Sequence, residues 1–150
     1  MIITIRHIWI NAMTCVSTEY LDRCLETLEK SYAMIQAVDS ASVEYEMYRN
    51  SLVKGFEMTL EQSGKLLRKE LEPYFSSKRE IDKLSFKDVF RYALKYSLLD
   101  ENCINRWFKY RDNRNNIAHD YGQAFAEDTL ALMPSFIADV KQLKRVLHHV

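Results

Sequence analysis

Hydrophobic residues recur every three or four positions along most of the chain, which is the spacing of amphipathic α-helices. The first such stripe predicts a helix from Thr18 to about Ala37, followed by a short polar break. A longer stripe predicts a second helix from Ser42 to about Leu71, and Pro73 is expected to end it. Gly55 and Gly64 lie inside this second stripe, and we interpret them as positions of close helix packing.

The second half of the chain predicts three more helices. Residues 76–84 are polar and are predicted to form a loop, after which Ser85 is expected to cap a third helix. The apolar positions predicted to face inward from that helix are Phe86, Val89, Phe90, Ala93 and Leu94. A fourth helix is predicted from about Glu101 to Ala118, and a fifth from about Phe125 to Val150. Five helices with short connections predict an all-α, up-and-down bundle.

The composition agrees with a single helical domain. The chain has 150 residues, the size of one domain, and its 3 glycines and 2 prolines are too few for a turn-rich all-β fold. We assign residues 17–150 to the helical domain and residues 1–16 to an N-terminal extension. Residues 1–12 are apolar but interrupted by Arg6 and His7. They are a short strand, an arm that docks on a partner, or sequence upstream of a start at Met13, and the last two readings are favoured equally.

Charge and cysteine content narrow the function only partly. The formal net charge is zero, which gives no overall sign of a nucleic-acid partner. Charge is uneven along the chain, because residues 106–114 hold four bases and one acid, whereas residues 19–46 hold seven acids and two bases. The 3 cysteines are odd in number and form no CxxC pair, which favours a reduced, cytoplasmic protein. No apolar run approaches the roughly 20 residues of a membrane span.

Candidate chemistry is concentrated between Trp107 and Gly122. On a helix, Arg111, Asn115 and His119 form a row at i, i+4 and i+8, with Arg114 one step aside and Tyr121 nearly above Arg114. A guanidinium binds phosphate through a rigid donor fork, an imidazole transfers protons near neutral pH, and an amide can orient either group. From the residues alone, an ordinary surface or core role for these side chains is better supported than phosphodiester cleavage.

The same segment resembles a known superfamily. Residues 114–119, RNNIAH, match the Arg-x4-6-His motif of HEPN proteins, and Tyr121 extends it to the Arg-x4-His-x-Tyr form of HepT-like toxins. The segments FKDVFRYALKYSLL, WFKYRDNRN and LMPSFIADVKQL resemble those of nucleotidyltransferase substrate-binding proteins. The resemblance covers roughly residues 20–147.

This resemblance implies a fold, an activity and partners. HEPN proteins are helical bundles that pair as two-fold dimers, and many are metal-independent endoribonucleases. It implies that Arg114 binds and polarises the scissile phosphate of RNA, that His119 is the general acid or base, and that Asn115 orients these groups. Tyr121 would receive AMP from a cognate minimal nucleotidyltransferase that acts as antitoxin. We add Arg111, from helix geometry, as a second phosphate contact. No metal or cofactor is expected.

Two functions other than the toxin remain open. The chain is alternatively a non-catalytic adaptor that binds the transferase or its substrate, or a scaffold dimer with a decayed site.

Other candidate residues are weaker. His148 and His149 are expected at a frayed C-terminus, and His7 has no partner motif. A group of tyrosines is expected to line helix interfaces: Tyr20, Tyr32, Tyr45 and Tyr48.

Overall fold

The computed structural model describes residues 16–117 and 123–149. This part of the chain contains six α-helices and no strand, so the predicted all-α class is confirmed. The helices are α1 (Glu19–Gln36), α2 (Val43–Leu71), α3 (Lys78–Asp82), α4 (Phe86–Lys95), α5 (Glu101–Ile117) and α6 (Gln123–Leu147), with a 3-10 turn at Glu72–Tyr74. Residues 1–15 of the predicted N-terminal extension lie outside the described residues.

The prediction of a loop over residues 76–84 is wrong, because α3 lies inside it. Ser77 caps this helix by accepting a hydrogen bond from the backbone N–H of Glu80 at 3.3 Å. Ile81 is fully buried, and the Arg68 guanidinium donates to the carbonyl oxygens of Ile81 and Leu84 at 2.5 and 2.9 Å. The hydrogen bonds from Arg68 of α2 therefore stabilise α3, a helix that its own polar sequence does not predict.

Serine caps fix the beginnings of α2 and α4. The Ser42 hydroxyl accepts from the backbone N–H of Tyr45 at 3.1 Å, which satisfies one orphan donor of α2. Ser85 and Asp88 form a reciprocal capping box at the beginning of α4, so the predicted Ser85 cap is confirmed.

The longest helix, α2, lies at the centre of the bundle and packs against α1, α4 and α6. Helix α5 packs on α4 and α6. Aromatic rings join these helices, and the Phe90 and Trp107 rings stack with centroids 4.8 Å apart. Leu94, predicted to face inward, is 38% exposed at the last turn of α4, so that assignment is wrong.

Two glycines of α2 allow close helix contacts, as predicted. A Cβ at Gly55 would lie 3.4 Å from the Leu28 side chain of α1. A Cβ at Gly64 would lie 2.7 Å from the Phe86 ring of α4, inside any acceptable contact distance. Gly64 therefore sets how closely Phe86 approaches α2.

The two ends of the described bundle meet. Thr18 occupies the N-cap position of α1 without making a capping bond, and its hydroxyl lies 2.7 Å from His148 Nε2 instead. His149 Nε2 lies 3.4 Å from a carboxylate oxygen of Glu70. The expectation that both histidines fray is therefore wrong, because each is tied to another helix.

Among the described residues, no helix is both long enough and apolar enough to span a membrane.

Candidate functional site

Helix α5 is anchored to the core through its first half. Trp107 and Tyr110 are almost completely buried, as is the Asp139 carboxylate of α6. Arg106 donates two hydrogen bonds to Asp139, each 2.8 Å long, and the Tyr110 hydroxyl donates a third of 2.5 Å. Burial and the hydrogen bond to Asp139 raise the pKa of the Tyr110 hydroxyl, which therefore stays protonated and serves as a donor.

The last turns of α5 present two arginines to a carboxylate of α2. Arg111 Nη1 lies 2.7 Å from Glu61 Oε1, and Arg114 Nε lies 3.8 Å from the same oxygen. The Arg111 guanidinium also lies over the Phe86 ring, 5.0 Å from its centroid. Arg111 is thereby held between a charge and an aromatic face, and the Gly64 contact sets the position of that face.

Both arginines line a groove of about 520 Å³, which we call the α2–α5 groove. Its lining comes from α1, α2, α4 and α5 and carries charges of both signs. The lining residues are Tyr20, Lys54, Glu57, Met58, Glu61, Gln62, Gly64, Lys65, Arg68, Phe86, Arg111 and Arg114. Helix α2 thus supplies most of one wall.

The predicted site residues fall into three groups. Arg111 and Arg114 lie together on the α2–α5 groove, as their helical spacing indicated. Asn115 is exposed on α5 and does not line the groove. His119 and Tyr121 lie outside the described residues, so their assigned roles stay predictions.

Sequence reasoning missed the α2 side of the groove. Lys54, Glu61 and Lys65 follow one another at i, i+7 and i+11, a polar stripe opposite the buried face of α2. This spacing could have shown that the three side chains share one face of α2, but it does not show which helix that face is opposite. Tyr20 was expected at a helix interface and is instead 51% exposed on the groove. The other three tyrosines pack against the core as expected: Tyr32, Tyr45 and Tyr48.

The arginine pair is suited to binding an oxyanion. Guanidinium groups bind carboxylates and phosphates through the same planar donors. Because Arg111 and Arg114 approach one oxygen of Glu61, they can also approach one oxygen of a phosphate. The groove beside them offers further cations, which suits a ligand with more than one negative charge.

The fold matches that of a known helical domain. A solved structure from Haemophilus influenzae, described as the fold of a substrate binding domain of a nucleotidyltransferase, superposes with a TM-score of 0.74. It is 24% identical and covers 87% of this chain and 98% of its own. This likeness establishes the shared bundle.

The family follows from the sequence comparison. The model of the family described as "Nucleotidyltransferase substrate binding protein like" matches residues 18–149, and the chain belongs to this family. The resemblance drawn from the motif and its flanks is thereby confirmed. A Haemophilus influenzae protein named "Probable ribonuclease HepT" is 27% identical over 123 residues, which are 79% of this chain and 83% of that protein.

Proposed function

We propose that this chain is a HepT-like, metal-independent endoribonuclease and the toxin of a toxin–antitoxin pair. The observation that carries the proposal is the meeting of Arg111 and Arg114 on one carboxylate oxygen in the α2–α5 groove. Such a pair can bind a phosphodiester where Glu61 now lies. The name of the ribonuclease relative supports the same activity.

The proposed reaction needs only groups of the protein and the RNA. The RNA 2′-hydroxyl attacks the adjacent phosphorus and loses its proton, while the 5′-oxygen leaves and gains one. Arg114 and Arg111 stabilise the charge on the phosphate, and His119 transfers the protons. The products are a 2′,3′-cyclic phosphate and a 5′-hydroxyl.

Cleavage of RNA in EDTA tests this proposal. Arg114→Ala and His119→Ala should each lower the rate by about 10²–10⁴-fold. Lys109→Ala is the matched control, because Lys109 is exposed on the same helix and does not line the groove. Activity that requires magnesium, or that survives in both variants, would contradict the mechanism.

We further propose that two copies of the chain combine their motifs. One Arg114 and one His119 per chain give a single proton-transfer group, whereas two copies supply an acid and a base. Sedimentation at micromolar concentration should then give about twice the chain mass of 17.8 kDa. A monomer at all concentrations would remove the second proton-transfer group from the mechanism.

The proposed antitoxin is a minimal nucleotidyltransferase that modifies Tyr121. The Tyr121 hydroxyl oxygen would attack the α-phosphorus of ATP, forming a phosphodiester to AMP and releasing pyrophosphate. The added phosphate would be negative and bulky beside the RNA-binding arginines, so both charge and volume would oppose RNA binding. Tyr121→Phe should stay toxic in the presence of the transferase, whereas the wild type is silenced. Equal silencing would mean that binding alone neutralises the toxin.

A second candidate function is a non-catalytic adaptor of the transferase. It is favoured by the solved relative described as a substrate binding domain of a nucleotidyltransferase. Induced expression of the wild type beside His119→Ala separates the two functions. Growth arrest that depends on His119 supports the ribonuclease, and transferase binding by both proteins without growth arrest supports the adaptor.

A further inference from the structure

The α2 wall of the groove carries charges in a regular order. Lys54, Glu61 and Lys65 all line the groove, and all three side chains are exposed. At about 1.5 Å of rise per residue, Glu61 lies roughly 10 Å along α2 from Lys54 and roughly 6 Å from Lys65. Along this line the wall presents a cation, an anion and a second cation, and Glu57, one turn before Glu61, adds a second anion to the same wall.

The cations of the groove differ in what holds them. Arg68 donates to two backbone carbonyls and has a structural role. Arg111 is paired with Glu61. Lys54 and Lys65 form no ion pair with any residue in the described parts of the chain. Two available cations thus flank an arginine pair whose charge is partly neutralised.

Glu61 satisfies that arginine pair incompletely. Its side chain is 55% exposed; its Oε1 accepts a hydrogen bond from Arg111 Nη1 at 2.7 Å, whereas Arg114 Nε lies 3.8 Å from the same oxygen. Arg114 Nε is buried without a hydrogen-bond partner among the described residues, since the 3.8 Å separation from Glu61 exceeds hydrogen-bond length. A phosphate, which has more acceptor oxygens in a tetrahedral arrangement, can engage both guanidinium groups.

We propose that the α2–α5 groove binds the backbone of single-stranded RNA at three positions and that Glu61 occupies the central one until a phosphate displaces it. Lys54 and Lys65 contact the phosphates on either side. The inference rests on the proposed function, because it assigns RNA to this groove. It adds two phosphate-binding residues and an internal competitor to Arg111 and Arg114.

Opposite effects are expected from the two kinds of charge. Glu61→Gln removes the competing carboxylate and should tighten RNA binding about fivefold, the upper range for an exposed ion pair. Lys54→Gln and Lys65→Gln should each weaken binding. Each should also lower the slope of log K against log salt by about 0.7, because one fewer counterion is released from a single strand.

The experiment measures binding without cleavage. Fluorescence anisotropy follows a labelled single-stranded oligouridine whose sugars carry 2′-O-methyl groups, titrated with full-length protein at several salt concentrations. Glu57→Gln is the control for Glu61→Gln, because it removes the same charge from the same groove and no arginine pairs with Glu57 among the described residues. Lys69→Gln is the control for the lysines, since Lys69 is exposed on α2 outside the groove.

The outcomes separate this inference from the proposed function. A gain for Glu61→Gln well above that for Glu57→Gln, with losses for Lys54→Gln and Lys65→Gln but not Lys69→Gln, supports the inference whether or not the protein cleaves RNA. Equal gains for both glutamate variants, or weaker binding by Glu61→Gln, would overturn the role of Glu61. Lysine variants that behave like Lys69→Gln would overturn the three-position track. RNA binding that Arg111→Ala leaves unchanged would remove RNA from the groove altogether.

Discussion

Two arginine–carboxylate pairs of helix α5, Arg106 with Asp139 and Arg111 with Glu61, differ in almost every physical respect. Arg106 binds Asp139 through two hydrogen bonds of 2.8 Å, and the Asp139 side chain is 7% exposed. Arg111 binds Glu61 through one contact of 2.7 Å, and the Glu61 side chain is 55% exposed. The first pair has Tyr110 as a further donor, whereas the second faces a groove.

The difference separates a pair that fixes α5 in the bundle from a pair that is open to a ligand. The Asp139 carboxylate is buried and accepts from three donors, so losing a donor leaves part of its charge unpaired in the protein interior, although the Arg106 side chain itself is 42% exposed. An exposed carboxylate with one donor can be replaced by water or by a ligand at little cost. The Arg106 pair therefore fixes α5 against α6, and this fixed helix presents Arg111 and Arg114 at a defined distance from α2.

The largest effect should come from breaking the buried pair. Asp139→Ala removes the acceptor of Arg106 and leaves the Tyr110 hydroxyl only Ser135 Oγ, 3.0 Å away. The lost charge-assisted hydrogen bonds should lower the free energy of unfolding by about 3 kcal/mol. Glu61→Ala should lower it by no more than about 1 kcal/mol. Urea unfolding of both variants measures the difference. Similar losses would mean that the two pairs are equivalent.

A third carboxylate sharpens the comparison, because Glu70 is as buried as Asp139 but faces His149 rather than an arginine fork. Burial raises the pKa of Glu70 from 4.5 to about 7, although the His149 charge opposes the rise. The native state therefore holds the Glu70 proton more tightly than the unfolded chain. Its contribution to stability is complete below pH 4.5 and is lost as the pH rises through about 7.

Glu70→Gln should remove this pH dependence. Relative to the variant, the wild type should lose on the order of 2 kcal/mol of unfolding free energy between pH 4.5 and 8. Urea unfolding across that range, with Glu46→Gln on the same helix as an exposed control, provides the measurement. Parallel curves for wild type and Glu70→Gln would show that Glu70 titrates normally.

The smallest expected effect comes from replacing Arg106 or Arg111 by lysine, which tests how much each pair depends on the planar guanidinium. Lysine keeps the charge but lacks the planar fork, so Arg106→Lys should cost about 1 kcal/mol of stability through the lost second hydrogen bond. Arg111→Lys should change stability by less than about 0.5 kcal/mol. Thermal unfolding of the two variants tests this. A larger loss of stability for Arg111→Lys would contradict the conclusion that the Arg106 pair is the one that fixes α5.

The main helices were predictable from the sequence because their apolar stripes are long. The predicted boundaries of the first two helices, at Thr18–Ala37 and Ser42–Leu71, agree with those of α1 and α2 at Leu71 and differ by one residue at the other three ends, each of which is a cap position. Helix α3 was not predictable, because five residues with a single buried side chain, Ile81, show no periodicity. Its order depends on Arg68, which lies 13 residues before Ile81.

The candidate site was predictable on one helix only. Helical spacing places Arg111 and Arg114 near each other, and they do share the groove. Their partner Glu61 is 50 residues before Arg111, and nothing in the pattern of α2 tells which polar stripe α5 will face. A pattern along one helix encodes its own faces, whereas a site between helices depends on how the whole bundle packs.

The contact between Thr18 and His148 means that the order of the helices along the sequence could be changed by circular permutation. These residues are 130 positions apart, yet their side chains lie within 2.7 Å. A short linker from residue 149 to residue 16 would therefore span little distance, and new ends could be opened in the exposed connection at residues 37–42. Such a circular permutant would retain every helix contact of the bundle while separating α1 from α2 along the chain.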